Sequence, residues 1–206
     1  MHAMQVPPWL VTALLPAIFG FVGILLGAWL SGRRETAHRR YLFRERQLRD
    51  LYSPLLGLRS EIRMKSELRE KVRAATHAEW QRLCQEARET ANAPDNLLKL
   101  DRERGPEFER TFDYDNQQLR EDLVPSYRKM LAILRDNLWL AEPETQSYLG
   151  KLREFVELWE RWLAKAVTPE VVRRLGHSEE SLHPFYEHLE KKHDELRDRL
   201  SRGTSR

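Results

Sequence analysis

"YLGKLREFVELWERWLAKA", residues 148–166, decides the fold. Tyr148, Leu152, Phe155, Trp159, Trp162 and Ala166 recur at steps of four, three, four, three and four, and Leu149, Val156 and Leu163 widen the same face. That is the period of an α-helix burying a broad apolar stripe. Aromatic side chains at this spacing read as core, because a stripe that large must be covered.

The same period extends outward in both directions. Leu182, Tyr186, Leu189, His193, Leu196 and Leu200 predict a last helix, followed by a polar tail over 201–206. Between the two stripes, Thr168, Pro169 and Glu170 supply a cap and a first-turn proline for a short helix ending near Gly176. Upstream, Tyr127, Leu131, Leu134 and Leu138 form one stripe, broken at Pro143, and Leu48, Leu51, Leu55, Leu58 and Ile62 form another. A looser pattern (Leu68, Val72, Ala75, Trp80, Leu83, Ala87) carries that second helix onward. Pro54 and Pro125 each either kink a helix or start a new one. The stretch 92–116 concentrates Pro, Gly, Asp and Asn without a sustained period and predicts a loop with at most short helical pieces. No strand-like alternation competes, so the class is all-α, with residues 54–200 as an antiparallel helical bundle.

The N-terminus is of a different kind. Residues 9–30, "WLVTALLPAIFGFVGILLGAWL", carry no charge, and about 20 apolar residues suffice to cross a bilayer. Trp9 and Trp29 mark its two ends as interfacial rings. The preceding residues 1–8 contain no Lys or Arg, unlike the positive start of a cleaved export signal. The expectation is a single N-terminal transmembrane helix with a short external N-terminus.

From Arg33 to Arg49 seven arginines face Glu35 and Glu45, a surplus of five positive charges in a chain of net +3, so the remainder carries −2. Arginines concentrated beside one end of a span hold that end in the cytoplasm. The prediction is an inner-membrane protein, N-terminus outside and C-terminal domain cytoplasmic, with a basic helical stalk over 31–53. Arg33, Arg34, Arg39, Arg40 and Arg44 are the candidate membrane-surface residues, suited to anionic headgroups. A membrane surface accounts for this basic segment better than nucleic acid, and no nucleic-acid partner is expected. Gly20, Gly23, Gly27 and Ser31 share one face of the span and are the candidate self-association residues, since small side chains let two helices approach.

Catalytic signatures are sparse. Cys84 is the only cysteine, so neither an intrachain disulfide nor a cysteine metal cluster can form. The chain contains no Gly-rich phosphate loop, GxSxG elbow or HExxH pair. His177, His183, His188 and His193 cluster beside acidic residues, but His188 and His193 are five apart and diverge on a helix. These residues predict no catalytic, cofactor-binding or metal-binding set. The favoured reading is a non-enzymatic interaction or scaffolding module that binds a protein partner or itself. A small membrane effector, such as a toxin or defence component, and a metal-binding enzyme or sensor built on the His-rich region are the alternatives.

Overall fold

The computed structural model describes residues 27, 29, 31–90 and 92–204, with the side chains of 203 and 204 left aside. Among the described residues all regular structure is helical. Residues 31–46 (α1) lead through a π-helical segment, Gln47–Tyr52, directly into α2, Ser53–Arg88. The chain then reverses into α3, Ala93–Gln118, which continues through a second π segment, Leu119–Leu123, into α4, Val124–Asp136. A 3₁₀ turn, Leu138–Leu140, precedes α5, Pro143–Leu163. The short α6, Pro169–Arg174, and a 3₁₀ turn, Glu179–Leu182, lead to α7, His183–Thr204.

Both prolines that the sequence leaves open are spanned by continuous helix. Proline lacks an N–H and its ring crowds the carbonyl four residues back. A wider turn relieves both problems: Ser53 N–H bonds Leu48 O and Val124 N–H bonds Leu119 O, each five residues back. The two sites are alike in sequence, "QLRDLYSP" at 47–54 and "QLREDLVP" at 118–125. Each wide turn drives two large side chains inward, Leu51 with Tyr52 and Leu119 with Leu123, all buried.

The helices pack antiparallel. Lys65 meets Asp122, Arg69 and Arg73 meet Asp115, and Trp80 stacks with Phe108, so numbers rise along α2 as they fall along α3. Tyr148 against Phe185 and Glu142 against Lys192 set α5 against α7 in the same sense. The core is formed by the first π segment, the start of α2, α4, α5 and α7, with Leu55, Ile62, Met130, Leu134, Leu152 and Leu189 wholly buried. Trp159 and Trp162 lie partly buried against it.

The loop expected over 92–116 is instead α3. Polar composition misled the reading: Lys99–Glu103 and Arg104–Glu107 are ion pairs along one helix, and α2 supplies the packing surface that the segment's own period does not reveal. Pro106 lies inside this helix. The expected polar tail is likewise helical through Thr204. Among the described residues, beyond Ile62 on α2 and before Leu119 on the returning helix α3, no hydrophobic side chain is fully buried. The distal α2–α3 hairpin is therefore a two-helix arm projecting from the bundle.

Among the described residues no helix is long and apolar enough to cross a membrane. Apart from Gly27 and Trp29, the span expected over 9–30 lies outside the described residues, as do Gly20 and Gly23.

Candidate functional site

Polar side chains meet inside the bundle where the first π segment, the start of α5 and α7 converge. The wide turn brings Tyr52 inward, and its hydroxyl lies 2.9 Å from Thr145 Oγ1. Thr145 Oγ1 lies 2.7 Å from His188 Nε2, and His188 Nδ1 faces Glu144 Oε1 at 3.4 Å. One proton arrangement satisfies the whole chain: Tyr52 donates to Thr145, Thr145 donates to Nε2, and Nδ1–H points to Glu144. Gln47 Nε2 donates to Leu140 O at 2.7 Å on the same side of the core. Lys192 joins Glu142 at 2.8 Å and Glu195 at 3.2 Å over the top. Burial pushes the Tyr52 phenol above its ordinary range. Tyr52 and Thr145 have no exposed surface, so this chain of hydroxyls and imidazole fastens three helices together without meeting a solute.

A second polar junction faces solvent between α2 and α7. Arg59 Nη1 donates to Glu179 at 2.9 Å while its guanidinium lies 3.9 Å over the Tyr186 ring. Beneath it Tyr127 and Tyr186 are buried, and desolvation raises both phenols well above the usual range. A groove of about 400 Å³ opens above Arg59, bordered by Arg63, Glu67, Glu180, His183 and Glu190.

The four clustered histidines are thus separated by the fold. His188 is buried in the hydroxyl chain. His177 packs between Phe155 and Trp159, with ring centroids at 4.5 and 5.2 Å, and burial lowers its pKa. His183 borders the groove, and His193 faces Asp194 at 3.3 Å. Among the described residues no three His, Cys, Asp or Glu side chains are placed to hold a metal ion. Cys84 is half-buried on the arm.

The five arginines that the sequence offers as membrane-surface candidates follow different fates along α1. Arg33 stacks over Trp29 at 4.1 Å, Arg34 is exposed, and Arg39 pairs with Glu35. Arg40 and Arg44 line a cleft that Arg199 closes from α7. Gly27 and Ser31 are exposed. Sequence reasoning missed Tyr52, Thr145 and Arg199; the matching "QLR…P" segments were the available signal for Tyr52. Comparison with protein-family models, with curated proteins and with solved structures gives no match.

Proposed function

We propose that the chain is a bitopic, non-enzymatic interaction module. Residues 9–30 cross the inner membrane, the bundle lies in the cytoplasm, and the α2–α3 arm docks a protein partner or a second copy of the chain. The observation that carries this reading is the arm's uncovered apolar surface. Met64, Leu68 and Val72 recur every four residues on α2 and are exposed, with Leu98 and Phe112 exposed on α3. Two helices alone cannot cover both their stripes, and a bound third helix or a paired arm would. The unbroken helix from 31 to 88 would transmit the anchor's position rigidly to that arm.

The test is site-specific photo-crosslinking from position 68 of the full chain in cells, together with the mass of the detergent-solubilised protein. Leu68→Glu/Val72→Glu, at exposed positions, should leave helicity intact and abolish the crosslink. A strictly monomeric protein with no crosslink from the arm would overturn the reading. The anchor is checked separately: alkaline carbonate should leave the full chain in the membrane pellet and release a chain lacking residues 1–30.

A further inference from the structure

The cleft between the stalk and the end of α7 is lined by Ala37, His38, Arg40, Tyr41 and Arg44 of α1 and by Arg199 of α7, and has a volume of about 460 Å³. Its cations come from segments more than 150 residues apart in the chain and are brought together only by the fold. Among the described residues, Arg40 and Arg44 have neither an ion pair nor a hydrogen bond, and Arg199 has only a long 3.8 Å pair with Glu195. Like charges one helical turn apart repel. Three guanidinium groups around one hollow therefore form a site whose cost an anion would remove, and guanidinium suits phosphate oxygens through paired N–H donors.

Depth decides which anion. With Trp29 at the membrane interface, Arg33 and Arg34 follow within about 8 Å along the helix, close to a headgroup layer about 5–7 Å thick on each side. Arg40 is about 16 Å away and Arg44 about 22 Å. Measured from the outer edge of that layer, an upright helix leaves Arg40 about 10 Å and Arg44 about 16 Å away, beyond a screening length of about 8 Å, and a tilt of about 40° brings Arg40 to roughly 6 Å but leaves Arg44 at about 11 Å. Bilayer lipid thus meets Arg33 and Arg34 first, and Arg44 of the cleft lies beyond its screened field. A nucleic-acid strand would use a continuous row of free cations along the stalk, and this row is interrupted by Arg33 stacked on Trp29, Arg39 paired with Glu35 and Arg49 paired with Asp50, with Arg34 and Arg46 the remaining arginines outside the cleft that lack an ion pair.

We infer that the cleft formed by His38, Arg40, Tyr41, Arg44 and Arg199 binds a soluble small molecule carrying a diphosphate group. Its volume lies within the range of small-molecule sites, about 300–1,000 Å³. Arg40, Arg44 and Arg199 hold the phosphate oxygens, and His38 and Tyr41 are the adjacent donors. The depth argument rests on the membrane-anchored reading; the cluster itself does not.

The experiment is calorimetric titration of inorganic pyrophosphate into the full chain held in phosphatidylcholine nanodiscs. Saturable binding at one site is expected, weakened about tenfold or more by Arg40→Gln/Arg44→Gln and by Arg199→Gln, and unchanged by Arg33→Gln/Arg34→Gln. Absence of saturable binding, or equal weakening by the Arg33/Arg34 variant, overturns the proposal. Nanodiscs containing phosphatidylglycerol separate the sources: unchanged affinity supports a soluble ligand, whereas competition identifies a headgroup and overturns it. Displacement by a single-stranded oligonucleotide would likewise overturn it in favour of nucleic acid. Failure of the carbonate test removes the anchor and leaves the pyrophosphate titration to decide on the cleft.

Discussion

Thr145 Oγ1 sits 2.7 Å from His188 Nε2, joining the first turn of α5 to the second turn of α7 inside the core. The same oxygen meets the Tyr52 hydroxyl from the first π segment, so one side chain serves three elements. Thr145→Val keeps the shape and removes the hydroxyl, leaving His188 Nε2 buried without its partner and the Tyr52 hydroxyl without one of its contacts. The expected loss is about 2–3 kcal/mol. Thr145→Ser keeps the bridge and should lose about 1 kcal/mol for its methyl group. Chemical denaturation of the detergent-solubilised chain measures both, and equal losses would show that the hydroxyl chain contributes nothing.

The turns after α5 and α6 form a natural comparison. After α6, Gly176 N–H bonds Arg173 O and His177 N–H bonds Val172 O, with Gly176 at φ 62°. After α5, Lys165 N–H bonds Trp162 O and Ala166 N–H bonds Arg161 O, with Lys165 at φ 57°. The two caps have the same geometry, but only glycine adopts it without a Cβ penalty. Lys165→Gly should raise stability by about 1 kcal/mol, read as a higher thermal midpoint; Gly176→Lys should lower it by a similar amount. A destabilised Lys165→Gly chain would mean that the lysine side chain makes a contribution larger than the strain.

Stability should depend on pH through His177. Burial against Phe155 and Trp159 lowers its pKa from the ordinary 6.5, with Glu154 opposing weakly. Near and below 6.5 the unfolded chain therefore binds a proton more readily than the folded one. By linkage the folded state loses stability as pH falls through the unfolded value, and the loss stops only below the folded pKa. The signature is a difference: between pH 7.5 and 5 the wild type should lose more stability than His177→Phe, which cannot take up the proton. Parallel curves for the two proteins would remove His177 from the account.

Much of the bundle was legible because its signal is local. The stripe from Tyr148 to Ala166 needs no partner to be recognised, and Leu152, Phe155 and Val156 are buried as that period requires. Two things were not legible. The hydroxyl chain joins residues separated by 93 and 43 positions, and a threonine or histidine in an amphipathic pattern carries no mark of which distant group it meets. The second was α3, where Gly105-Pro106 reads as a break. Pairing with α2 overrides that signal: Asp115 is buried facing Arg69 at 3.4 Å and Arg73 at 3.5 Å, and Phe108 stacks on Trp80 at 4.9 Å.

That conflict between local preference and packing makes α3 the place to add stability. Pro106 lies in the helix interior, where it deprives the Arg102 carbonyl of its donor. Gly105 beside it adds backbone entropy to the cost of ordering the helix. A Cβ at Gly105 would meet only the Asp101 carboxylate, Oδ1 at 3.3 Å and Cγ at 3.8 Å, the far end of a flexible side chain that can give way by a few tenths of an ångström. Gly105→Ala should therefore contribute about 1 kcal/mol, and Pro106→Ala, by restoring the missing bond, about 2–3 kcal/mol more. Amide hydrogen exchange across residues 98–112 is the direct measurement, because those amides lie in the arm and open by local fraying. Slower exchange there in the double variant, with the thermal midpoint unchanged or higher, is the expected result. If the segment were the loop its composition suggests, its amides would exchange rapidly in both proteins and the substitutions would leave them unprotected; that result would remove α3 and with it the two-helix arm.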